Sequence, residues 1–135
     1  MPRISVWAVR ISLVYLVGGF TFGALLLSNK AFLYWAAVWM FLPVHVEMLV
    51  TGWMIQFVLG IAYWIFPRFQ GGVRGNEKIA WLAILLFNAG LIFSISALLL
   101  SSSPGLWAGR ALEAAGVLLL LSSLWSRVKP LPGQK

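Results

Sequence analysis

Two stretches of the chain, Ile11–Leu27 and Ile79–Leu100, contain no charged residue. Crossing the hydrocarbon core of a bilayer, about 30 Å thick, takes roughly 20 apolar residues in a helix. Each stretch therefore reads as one crossing, and the chain has to be counted in spans rather than in soluble domains. The composition agrees: 61% of the 135 residues are hydrophobic and 10% charged, against about 45–50% and about 25% in an ordinary soluble domain. The length allows about four spans and little else. The expected fold is an all-α membrane protein, a single four-helix transmembrane domain over residues 1–135.

The first span is expected over residues 6–27, ended by Ser28, Asn29 and Lys30. A signal peptide would also place Arg3 and Arg10 before an apolar core, but here the apolar run continues through Ala24–Leu27, where a polar cleavage region should begin. The second apolar block, Ala31 to Phe66, would measure about 54 Å as one straight helix at ~1.5 Å per residue, too long for the hydrocarbon. Pro43 lacks the donor that the preceding turn needs and sits well in the first turn of a new helix. This predicts a second span over 44–66, stopped by Pro67, and before it a short interfacial segment, Ala31–Leu42, with Tyr34, Trp35 and Trp39. The third span, 79–100, follows a polar start at Asn76, Glu77 and Lys78 and closes at Ser101–Gly105. The fourth, 106–125, carries Arg110 and Glu113 in its first two turns. The tail 126–135, with Pro130, Pro132 and Gly133, reads as disordered.

With four crossings, the N-terminus, the Pro67–Lys78 loop and the C-terminus share one side. That side collects Arg3, Arg10, Arg68, Arg74, Lys78, Arg127, Lys129 and Lys135, and the other only Lys30 and Arg110. Such a bias predicts both termini in the cytoplasm. Trp7, Trp64, Trp81 and Trp125 then fall at the inner interface, Trp35, Trp39 and Trp107 near the outer one, and Trp53 at mid-depth. The net charge of +7 does not point to nucleic acid, because the basic residues flank apolar segments and form no stripe.

The only histidine is His45. At about 100° per residue His45, Gly52, Gln56 and Tyr63 fall close to one line on the second span. The stripe admits two readings. It lines a slot where a flat ligand approaches the backbone at Gly52, with Gln56 and Tyr63 offering hydrogen bonds that lipid cannot satisfy; or it packs on another helix, with His45 bonded across the interface. Glu47 projects roughly 200° away from His45 and is expected to serve in a structural pair or in proton handling. Arg110 and Glu113 are three apart and able to pair; alternatively Arg110 neutralises an anionic group held beside His45. Gly19 and Gly23, with Gly18, form a small-residue notch on the first span, and Asn88 and Gly90 predict an interhelical hydrogen bond and a close contact on the third.

Several chemistries are excluded. Without cysteine there is no disulfide, thiolate site or thioether-linked haem, and one histidine cannot complete a zinc or copper site. The absence of aspartate rules out a Ser-His-Asp set. No Walker or dinucleotide glycine pattern occurs. A transporter or channel stays as a weaker third reading, since it needs ionisable residues along a path, whereas the acids here are expected only near span ends. Haem remains, since it asks for few protein ligands, an apolar slot and a positive rim.

The stretch from His45 to Arg68 resembles the second transmembrane helix of the haem-copper oxidase catalytic subunit, subunit I, above all in its high-affinity oxidase and nitric-oxide reductase branches. The likeness rests on His45, Gly52 seven positions on, Gly60, the aromatic pair Tyr63–Trp64 and the closing Pro67–Arg68; with the preceding span and short interfacial connection, which also fit the family's first two helices, it covers about half the chain. The resemblance implies that His45 is an axial ligand of b-type haem near the outer side; the stripe would then set Gly52, Gln56 and Tyr63 along the cofactor, and Arg110 would neutralise a propionate beside it. Family members have about twelve spans and carry their other metal ligands on later helices, so no complete oxidase is expected here. The implied protein is a reduced four-helix relative in the inner membrane of a prokaryotic cell, in electron transfer or in gas or haem sensing, embedded in the lipid bilayer as a homo-oligomer or within a larger membrane complex. Two copies would offer two His45 side chains to one haem; a single copy would leave the iron five-coordinate. The alternative is a cofactor-free accessory or scaffold subunit of a respiratory or photosynthetic membrane complex, with the stripe as packing surface.

Overall fold

The computed structural model describes residues 1–69, 72, 74–125 and 127–128. Among them the regular structure is entirely helical and forms four long helices: α1 (Arg3–Phe32), α2 (Ala36–Ile65), α3 (Glu77–Leu99) and α4 (Ser103–Trp125). Each is long and apolar enough to cross a bilayer, which points to a multi-pass membrane protein. Val14, Val17, Phe20, Leu85, Ile92 and Leu118 are more than half exposed, a surface that suits lipid and not water.

The helix ends follow from local chemistry, and several differ from the expected bounds. α1 runs past Leu27 to Phe32 because Asn29 ends it later than its polarity suggests. The Asn29 carbonyl accepts from Leu33 N (2.7 Å), and its side-chain Oδ1 accepts from Trp35 N (2.8 Å). Leu33 takes the left-handed conformation (φ 52°) usual for glycine at this position, a strain of about 1–2 kcal/mol that these two bonds offset. Residues Ala31 and Phe32 thus belong to α1. Leu33–Trp35 form the connection, and from Ala36 on the expected interfacial segment is joined to the second helix: a 3₁₀ turn, Ala36–Phe41, leads without a break into α-helix at Leu42–Glu47. Pro43 does sit in the first α turn, but its missing donor there breaks nothing. The helix then widens into π-type turns over Met48–Ile55 before resuming as α over Gln56–Ile65.

α3 starts as expected, with the Asn76 side chain accepting from Lys78 N (3.0 Å). α4 begins three residues earlier than predicted. Ser102 Oγ accepts from Gly105 N (3.3 Å), and Pro104 occupies the first turn, where no donor is missed. Ser126, Lys129 and the tail beyond lie outside the described residues.

Lipid offers no hydrophobic drive between helices, so packing depends on close approach at small residues. In the α3–α4 hairpin a Cβ on Gly90 would fall 2.6 Å from the Glu113 backbone nitrogen, and one on Gly116 2.7 Å from both Ala83 O and Phe87 N. Between α1 and α2, Gly18 faces Met48, Gly19 faces Leu49, and Gly60 faces Ala8. All four helices meet in one apolar core of Ile4, Ala8, Leu59, Tyr63, Ala80, Ala83, Ile84, Leu120 and Leu124. That core lies at the end of the bundle holding the N-terminus, Pro67 and Arg127.

Candidate functional site

His45 leaves the α-helical start of α2 toward α1. Its Nδ1 lies 2.7 Å from the Gly19 carbonyl oxygen. A carbonyl only accepts, so Nδ1 carries the proton, and in the neutral ring Nε2 keeps its lone pair. The ring lies on Gly23, where a Cβ would come within 2.7 Å of Cε1. Residues Gly19 and Gly23, read from the sequence as a notch, thus receive the imidazole and Leu49. His45, half-buried, also lines an open groove of about 220 Å³, together with Gly23, Leu26, Leu27, Lys30, Trp39 and Leu42.

The rest of the stripe does not line this groove. Gly52 is filled by Tyr15, whose Cγ would lie 2.6 Å from an added Cβ. Gln56 is fully buried; its Nε2 donates to Ala8 O (3.2 Å), and its Oε1 has no partner. Tyr63 is 1% exposed with an unpartnered hydroxyl, and the Arg127 guanidinium stands 5.0 Å from its ring centroid. The four residues do share one face, even across the π-type turns, but that face is the α1–α2 seam.

Arg110 lies elsewhere. It donates from Nη1 to Glu47 Oε1 (2.7 Å) and Glu113 Oε2 (2.9 Å), and from Nη2 to Glu47 Oε2. Ser94 Oγ donates to the remaining Glu113 oxygen (2.6 Å). Glu47 and Glu113 are 5% and 6% exposed. Glu47 is therefore a structural partner of Arg110, on the side of α2 away from His45, and Arg110 is not brought to the imidazole. Because α4 starts at Ser103, Glu113 sits about 15 Å along it. The acids are deeper than the sequence reading placed them, and their charges are met within the bundle.

Asn88 departs from expectation as well. Its Nδ2 donates to Ile84 O of its own helix (2.8 Å), and its Oδ1 has no partner; only Gly90 makes the predicted interhelical contact. Three features escaped the sequence reading: the Ser94–Glu113 bond, Lys30 and Trp39 at the His45 groove, and Arg127 bound to the carbonyls of Tyr63, Phe66 and Pro67. The last had a signal, since a helix stopped by Pro67 leaves free carbonyls that the first cation after another span is able to reach. Among the described residues no three ligating side chains gather as a metal site. An iron held here by one imidazole would need the rest of its ligands from a porphyrin. Compared with known proteins, the chain matches no family model, no curated protein and no solved structure.

Proposed function

We propose that this chain is a small integral membrane protein that binds b-type haem through His45, for electron transfer or for sensing a gas or haem. The observation that supports the reading is the state of the imidazole. A metal-binding histidine almost always donates its second ring N–H to a carbonyl or carboxylate, which fixes tautomer and orientation. The Gly19 carbonyl does this for His45 and leaves Nε2 with its lone pair in the neutral ring, on a residue that lines a largely apolar groove. Haem, when bound, would supply one-electron chemistry. The chain's part is to hold the ring by Gly19, give it room at Gly23, and keep water away with Leu26, Leu27, Leu42 and Trp39.

A groove of about 220 Å³ is smaller than the roughly 300–1,000 Å³ that encloses a drug-sized ligand. It would cover only part of a macrocycle, which favours a second copy of the chain, or a subunit of a larger complex, over the remainder. The eight-to-two distribution of Lys and Arg supports both termini on the cytoplasmic side, and the family resemblance adds the inner membrane of a prokaryote.

A second reading, a cofactor-free accessory or scaffold subunit, is favoured by a different observation: Gly52 and Gln56 are already occupied by α1, and Tyr63 is buried in the shared core. Optical spectra of the detergent-purified protein, oxidised and reduced, separate the two. Haem bands that vanish in a folded His45→Ala variant are expected on the first reading. Protein that stays colourless and takes up no added haem would overturn it in favour of the second.

A further inference from the structure

Arg110 does not line the His45 groove, and its charge is met by Glu47 and Glu113. The His45 groove has a cation of its own. Lys30, in the last turn of α1, is exposed and lines the same groove as the imidazole. Among the described residues it forms no ion pair, the salt bridges there being those of Arg110. It stands seven residues, two turns, beyond Gly23, on the same face of α1 and about 10 Å further along the axis. It also follows Ser28 and Asn29, where the apolar run gives way to polar residues.

We infer that Lys30 recognises a carboxylate on the edge of a flat, apolar ligand whose centre sits at His45; this rests on the haem reading above. The groove is graded to suit such a molecule. Leu26, Leu27 and Leu42 wall the part near the imidazole, and the one charge lies toward the end of the span, where a carboxylate would remain near water. The lysine stem covers apolar surface while its ammonium reaches the rim, and an ammonium–carboxylate hydrogen bond is among the stronger kinds. A lysine in the last turn also complements the helix dipole, but in that role alone it would be indifferent to the charge of the ligand.

The test uses haem b and its dimethyl ester, in which both carboxylates are blocked, titrated separately into the apo-protein in one detergent and followed by the optical change at the iron. The wild-type chain is expected to prefer haem by about tenfold, as for one charge-assisted hydrogen bond. Lys30→Gln should weaken haem binding, leave the ester unchanged and so remove the preference, and Lys30→Arg should restore it. A His45-dependent spectrum with no preference in the wild type, or with equal losses for both ligands in Lys30→Gln, overturns the role of Lys30 and leaves the haem reading standing. Absence of any His45-dependent spectrum overturns both.

Discussion

Arg110 holds two carboxylates that would otherwise be stranded. Glu47 and Glu113 are almost fully buried, and apart from Ser94 and Arg110 nothing among the described residues bonds them. Removing the cation from a buried pair costs about 3–5 kcal/mol, because an uncompensated charge is left behind. The Arg110 side chain is 43% exposed, so solvent screening reduces this. Arg110→Leu is expected to lower stability by about 2–3 kcal/mol, measured by thermal unfolding in detergent. Glu47→Gln keeps an acceptor for the guanidinium and removes the excess negative charge, so its loss should be about 1 kcal/mol or less. If the leucine variant melted with the wild type, water would have to be screening the acids, and the three residues would not be a structural clamp.

Glycines on these helices have the same composition signature but different consequences, because what fills each one differs. On Gly109 a Cβ would meet the Ser94 backbone nitrogen at 2.7 Å and the Gly90 carbonyl at 2.9 Å, neither of which can move without parting α3 from α4. On Gly18 it would meet only the end of the Met48 side chain, which has other rotamers available. Gly109→Ala should therefore cost about 1–3 kcal/mol and Gly18→Ala less than about 0.5 kcal/mol, again by melting; equal effects would mean that the hairpin is looser than its geometry implies. The contrast marks what could be read in advance. Uncharged runs announce spans, since lipid tolerates nothing else, and the common line of His45, Gly52, Gln56 and Tyr63 follows from helical period alone. Periodicity does not say what faces the line, so a seam against α1 and a ligand slot read alike until Tyr15 and Ala8 are seen against it. The depth of Glu113 was missed because Ser103–Gly105 look like loop, while a capping Ser102 and a proline in the first turn make them helix. The π-type turns over Met48–Ile55 carry no signal in residue type at all.

The four helices form two pairs, α1 with α2 and α3 with α4, each closed by its own glycine contacts, and three of the links between the pairs stand out among the described residues. One is the Glu47–Arg110 bridge; another is the shared apolar core around Tyr63, Ala83 and Leu124. The third is Arg127, 1% exposed, which donates from Nε to Pro67 O (2.9 Å) and from Nη2 to Tyr63 O (3.0 Å) and Phe66 O (2.6 Å). Those carbonyls are orphaned because Pro67 cannot continue α2, and a cation is favoured at the negative end of a helix dipole. Burial pushes the Arg127 guanidinium below its ordinary value, and the nearby charge of Arg74 acts in the same direction. Arginine nonetheless stays protonated in proteins, so the clasp should hold at any pH at which the fold does. Glu47 and Phe66 are about 28 Å apart along α2, too far for their links to share partners, so their contributions should add. Residues 1–69 and 74–135, expressed as two polypeptides in one membrane, are accordingly expected to assemble and co-purify. Arg110→Leu and Arg127→Ala should each weaken that association, and the double variant should weaken it by the product of the two factors, read from the fraction of one half retained on the other. Halves that assemble as well with both arginines replaced would assign the joining of the pairs to the apolar core alone.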